Sequence, residues 1–156
     1  MSVRKKASTV DEDSWNKEKT GRKRMHKGNV LIVHQDAGLK NFRMNFNFKN
    51  CNVVFAEDGC EALQIYYQNK RNLNLVFSSL IMTHMDGFEF ISRFRRISSV
   101  PLYLLSEGTY IDEKVQQFID KLNCNGILRD DQYEEIKTLV ENYFSLEARA
   151  IDGAHQ

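Results

Sequence analysis

No run of apolar residues in this 156-residue chain approaches the roughly 20 that a membrane-spanning helix needs. Nor does an apolar stretch follow the charged first residues, which argues against a secretory leader. The expected location is therefore the cytoplasm. Cysteine is scarce as well: Cys51, Cys60 and Cys124 are odd in number and far apart. That spacing builds neither a disulfide framework nor a CxxC metal site. Nothing local pairs one of them with His34 or His84 as a nucleophile, so they read as free thiols. What remains is 42% hydrophobic and 28% charged, the balance of a globular protein, in a length that suits one domain.

A formal net charge of +1 hides an asymmetry. Met1 to Gly28 holds nine Lys/Arg, including Arg4, Lys5, Lys6 and Arg22, Lys23, Arg24, against four Asp/Glu. The rest holds thirteen basic and seventeen acidic residues. With Trp15 as its one aromatic and little apolar periodicity, the basic segment cannot bury enough surface to offset its ordering entropy. We read 1–28 as a disordered tail, 29–146 as the domain and 147–156 as a second tail. Contact with nucleic acid, a membrane surface or an acidic partner is expected only through the basic tail.

Beyond the tail two patterns alternate. Short β-rich runs lie at 29–33, 52–56, 73–77, 100–105 and 126–128. Between them, apolar residues recur three and four apart: Leu39, Phe42, Phe46; Ala62, Ile65, Tyr66; Phe90, Ile91, Phe94; Val115, Phe118, Ile119, Leu122; Ile136, Leu139, Val140, Tyr143. These are helices with one face turned to a sheet. Asp36, Asp58, Asp86, Thr109 and Asp131 stand where helix caps belong. Gly87 is expected to free the backbone turn beside Asp86. Five strands alternating with helices imply a doubly wound, five-stranded parallel α/β sheet with helices on both faces. Its functional crevice lies beyond the carboxyl ends of the central strands. The residues there are His34, Gln35 and Asp36; Ser78 and Ser79; Ser106, Glu107 and Gly108; and Arg129, Asp130 and Asp131.

From about Asn29 to Phe144 the chain resembles the receiver domain of response regulators, the CheY-like family. Three segments carry the likeness: Val30-Leu31-Ile32-Val33 with a polar pair after it, Ala56-Glu57-Asp58-Gly59-Cys60-Glu61-Ala62-Leu63, and Met82-Thr83-His84-Met85-Asp86-Gly87-Phe88-Glu89. Val100-Pro101-Leu102, in a run ending at Ser106, is a fourth. The resemblance implies strand order 2-1-3-4-5 and a site that transfers a phosphoryl group to a carboxylate beside magnesium.

Position by position, this chain departs from that site. His34 and Gln35 match the family's acidic pair, and Ser79 matches its phosphoacceptor aspartate. Ser106 matches the hydroxyl residue, the one role kept. Asp130 matches the lysine, with Arg129 beside it as a substitute charge. Ile127 stands where many members carry a switching aromatic. The resemblance therefore implies a degenerate pseudo-receiver, not an enzyme, without bound magnesium and with no metal site or other cofactor. His34 reads as a neutral, hydrogen-bonded imidazole in the vacated acid site rather than a metal ligand with Asp36 or His84.

Such a protein works in two-component signalling through a protein partner, a histidine kinase or another regulator. By resemblance, the partner face includes Tyr110, Lys114, Gln117, Lys121 and Glu134 or Glu135. Two other functions remain open. One is a phosphorelay acceptor using Ser79 or His34. The other is a small-ligand or anion sensor in the crevice of His34, Gln35, Ser79, Ser106, Arg129 and Asp130.

Overall fold

The computed structural model describes residues 28–69, 72–107 and 111–154, with side chains to 146. Residues 1–27 of the expected basic tail, with Thr109 and Tyr110, lie outside the described residues, whereas Gly28, placed in that tail, opens a strand.

Five strands form one parallel sheet: β1 (Gly28–Val33), β2 (Cys51–Ala56), β3 (Leu75–Ser79), β4 (Leu102–Ser106) and β5 (Gly126–Arg129), in spatial order 2-1-3-4-5. The helices between and after them are α1 (Lys40–Asn45), α2 (Gly59–Asn69), α3 (Gly87–Ile97), α4 (Glu113–Lys121) and α5 (Tyr133–Ala154). Successive side chains of a strand point to opposite faces, so β1 feeds two cores. Leu31 and Val33 join Ala62, Ile65, Phe90, Phe94 and Ile119 on the side of α2, α3 and α4. Val30 and Ile32 join Phe46, Phe77, Ile136, Val140 and Phe144 on the side of α1 and α5. A strand covered on both faces must be apolar throughout, and Val30 to Val33 are all fully buried.

Strand bounds differ from the sequence expectation where polar residues end an apolar run. β3 begins at Leu75 and extends through Ser78 and Ser79, whose backbones pair with Leu104 and Leu105 of β4. The two serines are thus strand residues rather than loop residues. β4 likewise starts after Pro101 and includes Ser106. At the other end, α5 continues to Ala154, past the boundary expected at 146.

Three helix starts follow the caps. Asp58 accepts from the Glu61 N–H, Asp86 from the Glu89 N–H and Asp112 from the Val115 N–H, each at 2.9 Å. Asp112 thus fills the role expected of Thr109. Two expected caps are corrected. Asp36 sits in the turn before α1, whose N-cap position is Leu39 with no side-chain bond. The Asp131 carboxylate is held by Arg129 instead. Of the stripe expected on α1, Leu39 is exposed and only Phe46, just past the helix, is fully buried. Arg95, in the last turn of α3, is half-buried and donates to the carbonyls of Asn123, Ser98 and Val100, tying the end of α3 to two loops. Its burial pulls the guanidinium below its ordinary range.

Gly87 has a role other than the one expected. The left-handed residue of the loop is His84, at φ 64°. At Gly87 the constraint is space, because a Cβ there would lie 2.1 Å from the Ser79 carbonyl oxygen and 2.6 Å from Leu80 Cα. We therefore expect Gly87→Ala to destabilise the domain by about 2–3 kcal/mol in urea titration, since backbone must move to admit the methyl. The thiols should differ in reach. Cys60 is exposed, Cys51 buried and Cys124 partly buried, with burial pushing the Cys124 thiol up despite Arg95 nearby. Less thiolate at neutral pH and less access both slow attack. Iodoacetamide followed by peptide mapping should label Cys60 first and Cys51 and Cys124 last.

Candidate functional site

The carboxyl ends of β1, β3, β4 and β5 bring four side chains together. His34 follows β1, and its main chain is fixed by donating to the Ala56 carbonyl at 2.9 Å. Its ring is buried, 1% exposed, under the Phe42 ring of α1 at 4.4 Å between centroids. The backbone N–H of Asp36 donates to His34 Nδ1 at 3.0 Å. A ring nitrogen that accepts carries no hydrogen, so the neutral ring holds its proton on Nε2. That Nε2 points at Asp130 Oδ2, 3.1 Å away, and at Glu107 Oε1, 3.4 Å away.

Glu107 follows β4 and Asp130 follows β5, where the Asp130 N–H donates to the Ser106 carbonyl at 2.9 Å. Ser79, fully buried at the end of β3, donates its hydroxyl to Glu107 Oε1 at 2.5 Å. The short distance is that of a hydroxyl on a carboxylate. Ser79 and His34 therefore converge on one carboxylate, with Asp130 on the far side of the imidazole.

Of the expected pocket residues, His34, Ser79, Ser106 and Asp130 gather at this crevice. Gln35 does not: it is exposed in the turn of residues 35–38. Arg129 is corrected too. Its guanidinium is half-exposed and reaches Asp131 at 2.7 Å, so it supplies no charge to the pocket. Glu107, placed at the crevice after Ser106 by the sequence, was given no role in the pocket. His34, Glu107 and Asp130 each offer a ligand atom, all within 4.8 Å of one another. Neither Asp36 nor His84 belongs to this set, and His84 is largely exposed and faces Asp58 at 3.2 Å.

The expected partner face is partly described. Lys114, Gln117, Lys121, Glu134 and Glu135 are all exposed. Beside them Tyr103, stacked on Phe77, forms a shallow groove with Leu139, Tyr143 and Leu146 of α5. Ile127 is partly buried against the core on the side of α3 and α4.

This sheet order is that of the fold of CheY-like receiver domains of response regulators. The solved signal receiver domain of an HD domain-containing protein from Pseudomonas fluorescens Pf-5 superposes with a TM-score of 0.64 at 20% identity, covering 88% of this chain and 99% of that one. Among curated relatives, probable transcriptional regulator ycf29 of Porphyra purpurea is 26% identical over 119 residues, covering 73% of this chain and 55% of its own length. Transcriptional regulatory protein GlrR of Escherichia coli strain K12 is 28% identical over 117 residues, covering 72% of this chain and 26% of its own length. The chain thus spans about half or less of these relatives. No family model matches it. No described helix is long and apolar enough to cross a membrane.

The fold family implies magnesium, and the residues present do not fit it. Magnesium takes oxygen donors in near-ideal octahedral geometry. Here the first acidic position presents an imidazole N–H, the second is exposed Gln35, and the acceptor position is a serine already bonded to Glu107. The tautomer can be checked directly: long-range 1H–15N NMR of the neutral ring should give the Nε2–H pattern for His34. An Nδ1–H pattern would mean that Asp36 does not donate to it.

Proposed function

We propose that this chain is a receiver-type module of two-component signalling that works through protein contacts without accepting a phosphoryl group, and that it is not an enzyme. The observation that carries the reading is Ser79. It occupies the acceptor position, is fully buried and spends its hydroxyl hydrogen on Glu107. A serine so placed cannot form the acyl-phosphate that an aspartate forms. Charge supports the same reading. The family's pocket holds a lysine that grips the phosphoryl group, whereas this one holds Asp130, with Glu107 close by. Two carboxylates repel the anion that the reaction must bring in.

On this reading magnesium binding is lost, and the cytoplasm is the compartment. The partner is a histidine kinase or another regulator, engaged by the exposed face that bears Lys114, Gln117, Lys121 and Glu134. Burial weighs against Ser79 or His34 as a substitute acceptor, since both side chains are sealed from solvent. The pairing of Arg129 with Asp131 weighs against an anion sensor, since it takes away the cation such a site needs.

The test is phosphotransfer to the full chain from acetyl phosphate, and separately from an autophosphorylated histidine kinase, each with magnesium. Intact-mass spectrometry and radiolabel should show no stable incorporation. Label that disappears in Ser79→Ala or His34→Gln would overturn the proposal.

A further inference from the structure

The strand-end crevice carries a charge imbalance that the signalling reading leaves unexplained. Glu107 and Asp130 are each about four-fifths buried as side chains, and they flank one imidazole. Among the described residues no lysine or arginine pairs with either, and Arg129 is committed to Asp131. Two carboxylates buried to this extent around one imidazole, with no basic side chain paired to them, favour a bound cation.

We infer that His34, Glu107 and Asp130 form a binding site for a divalent transition ion of the zinc class. The geometry fits such an ion. With bonds of about 2.0–2.2 Å to nitrogen and oxygen, the edge of a tetrahedron of donors is about 3.4 Å. His34 Nε2 lies 3.1 Å from Asp130 Oδ2 and 3.4 Å from Glu107 Oε1, so two donor–donor edges are already close to length. An imidazole with two carboxylates is a donor set that zinc and its neighbours accept and magnesium does not. Three protein donors leave a fourth position for water.

The proton balance is simple. The ion takes the place of the Nε2 hydrogen, and the neutral ring then carries its proton on Nδ1. A metal-bound histidine usually gives that proton a carboxylate acceptor. Asp36 Oδ2 is 4.0 Å from Nδ1, one small side-chain movement away. The Asp36 N–H must at the same time release Nδ1, so the turn of residues 35–38 shifts when the ion binds. Ser79 stays outside the donor set and continues to hold Glu107 in place. This inference does not rest on the signalling role, and phosphotransfer results leave it standing or falling on its own.

The experiment is cobalt titration of the full chain, read by visible absorption, followed by displacement with zinc. The wild type should develop the intense d–d bands of a four-coordinate site and lose them on adding one equivalent of zinc, while excess magnesium leaves them unchanged. Glu107→Gln and Asp130→Asn keep side-chain shape and should each weaken binding by roughly 100-fold or more, and Asp36→Asn by about tenfold. Zinc added to the wild type should also shift the His34 Nε2 resonance and move the ring to the Nδ1–H pattern, a readout that needs no variant. Absence of the bands up to millimolar cobalt would overturn the site. So would bands that survive unchanged in both carboxylate variants, because the ion would then be held by residues such as His84 or Cys60.

Discussion

One hydrogen, on Nε2 of His34, lies between two carboxylates delivered by different strands of the sheet. The imidazole cannot swing away from them, because the Asp36 N–H holds its other nitrogen and the Phe42 ring covers its face. Around this fixed ring the ends of four strands are tied together. β1 leads to the ring, β5 to its acceptor Asp130 and β4 to Glu107 beside it, and β3 adds Ser79 through Glu107. In a receiver that binds magnesium, a metal ion and a lysine would organise these same strand ends. Here hydrogen bonds among protein side chains do so.

That substitution changes the sign of the crevice. A phosphoryl-transfer site concentrates positive charge at the point where negative charge builds up. This one concentrates carboxylates instead, and the Arg129 guanidinium pairs with Asp131 outside it. The scaffold is nevertheless intact, with both cores continuous and three helix starts capped. Keeping the sheet while reversing the pocket is physically consistent, because the cores lie on the faces of the sheet and the pocket lies at its end.

The fold was legible because its determinants are local. Runs such as Val30 to Val33 announce a strand buried on both sides, and Phe90, Ile91 and Phe94 announce a helix face. The site was legible at the strand ends, where His34 and Asp130 directly follow β1 and β5 and Ser79 closes β3. It was illegible where side-chain direction decides. Arg129 and Asp130 are neighbours in sequence, yet one turns to Asp131 and the other to His34. Glu107 stood at the crevice by position but carried no assigned role. The available signal was its place next to Ser106 in a pocket short of cations. Asp36 resembled a cap by residue type, but the chain forms a turn before α1 begins, and its backbone rather than its carboxylate makes the important contact.

The contact between Gly28 and α5 has a consequence for the order in which the chain assembles. The Phe144 ring occupies the space where a Cβ of Gly28 would stand, so the first strand and the last helix fit only each other there. Val30 and Ile32 share their core with Ile136, Val140 and Phe144. During synthesis that face of the first strand therefore waits, bare of its main cover, until more than a hundred further residues have emerged. A contact of such sequence separation is slow to close. In the meantime the nascent chain presents sticky surface that a holding chaperone would recognise.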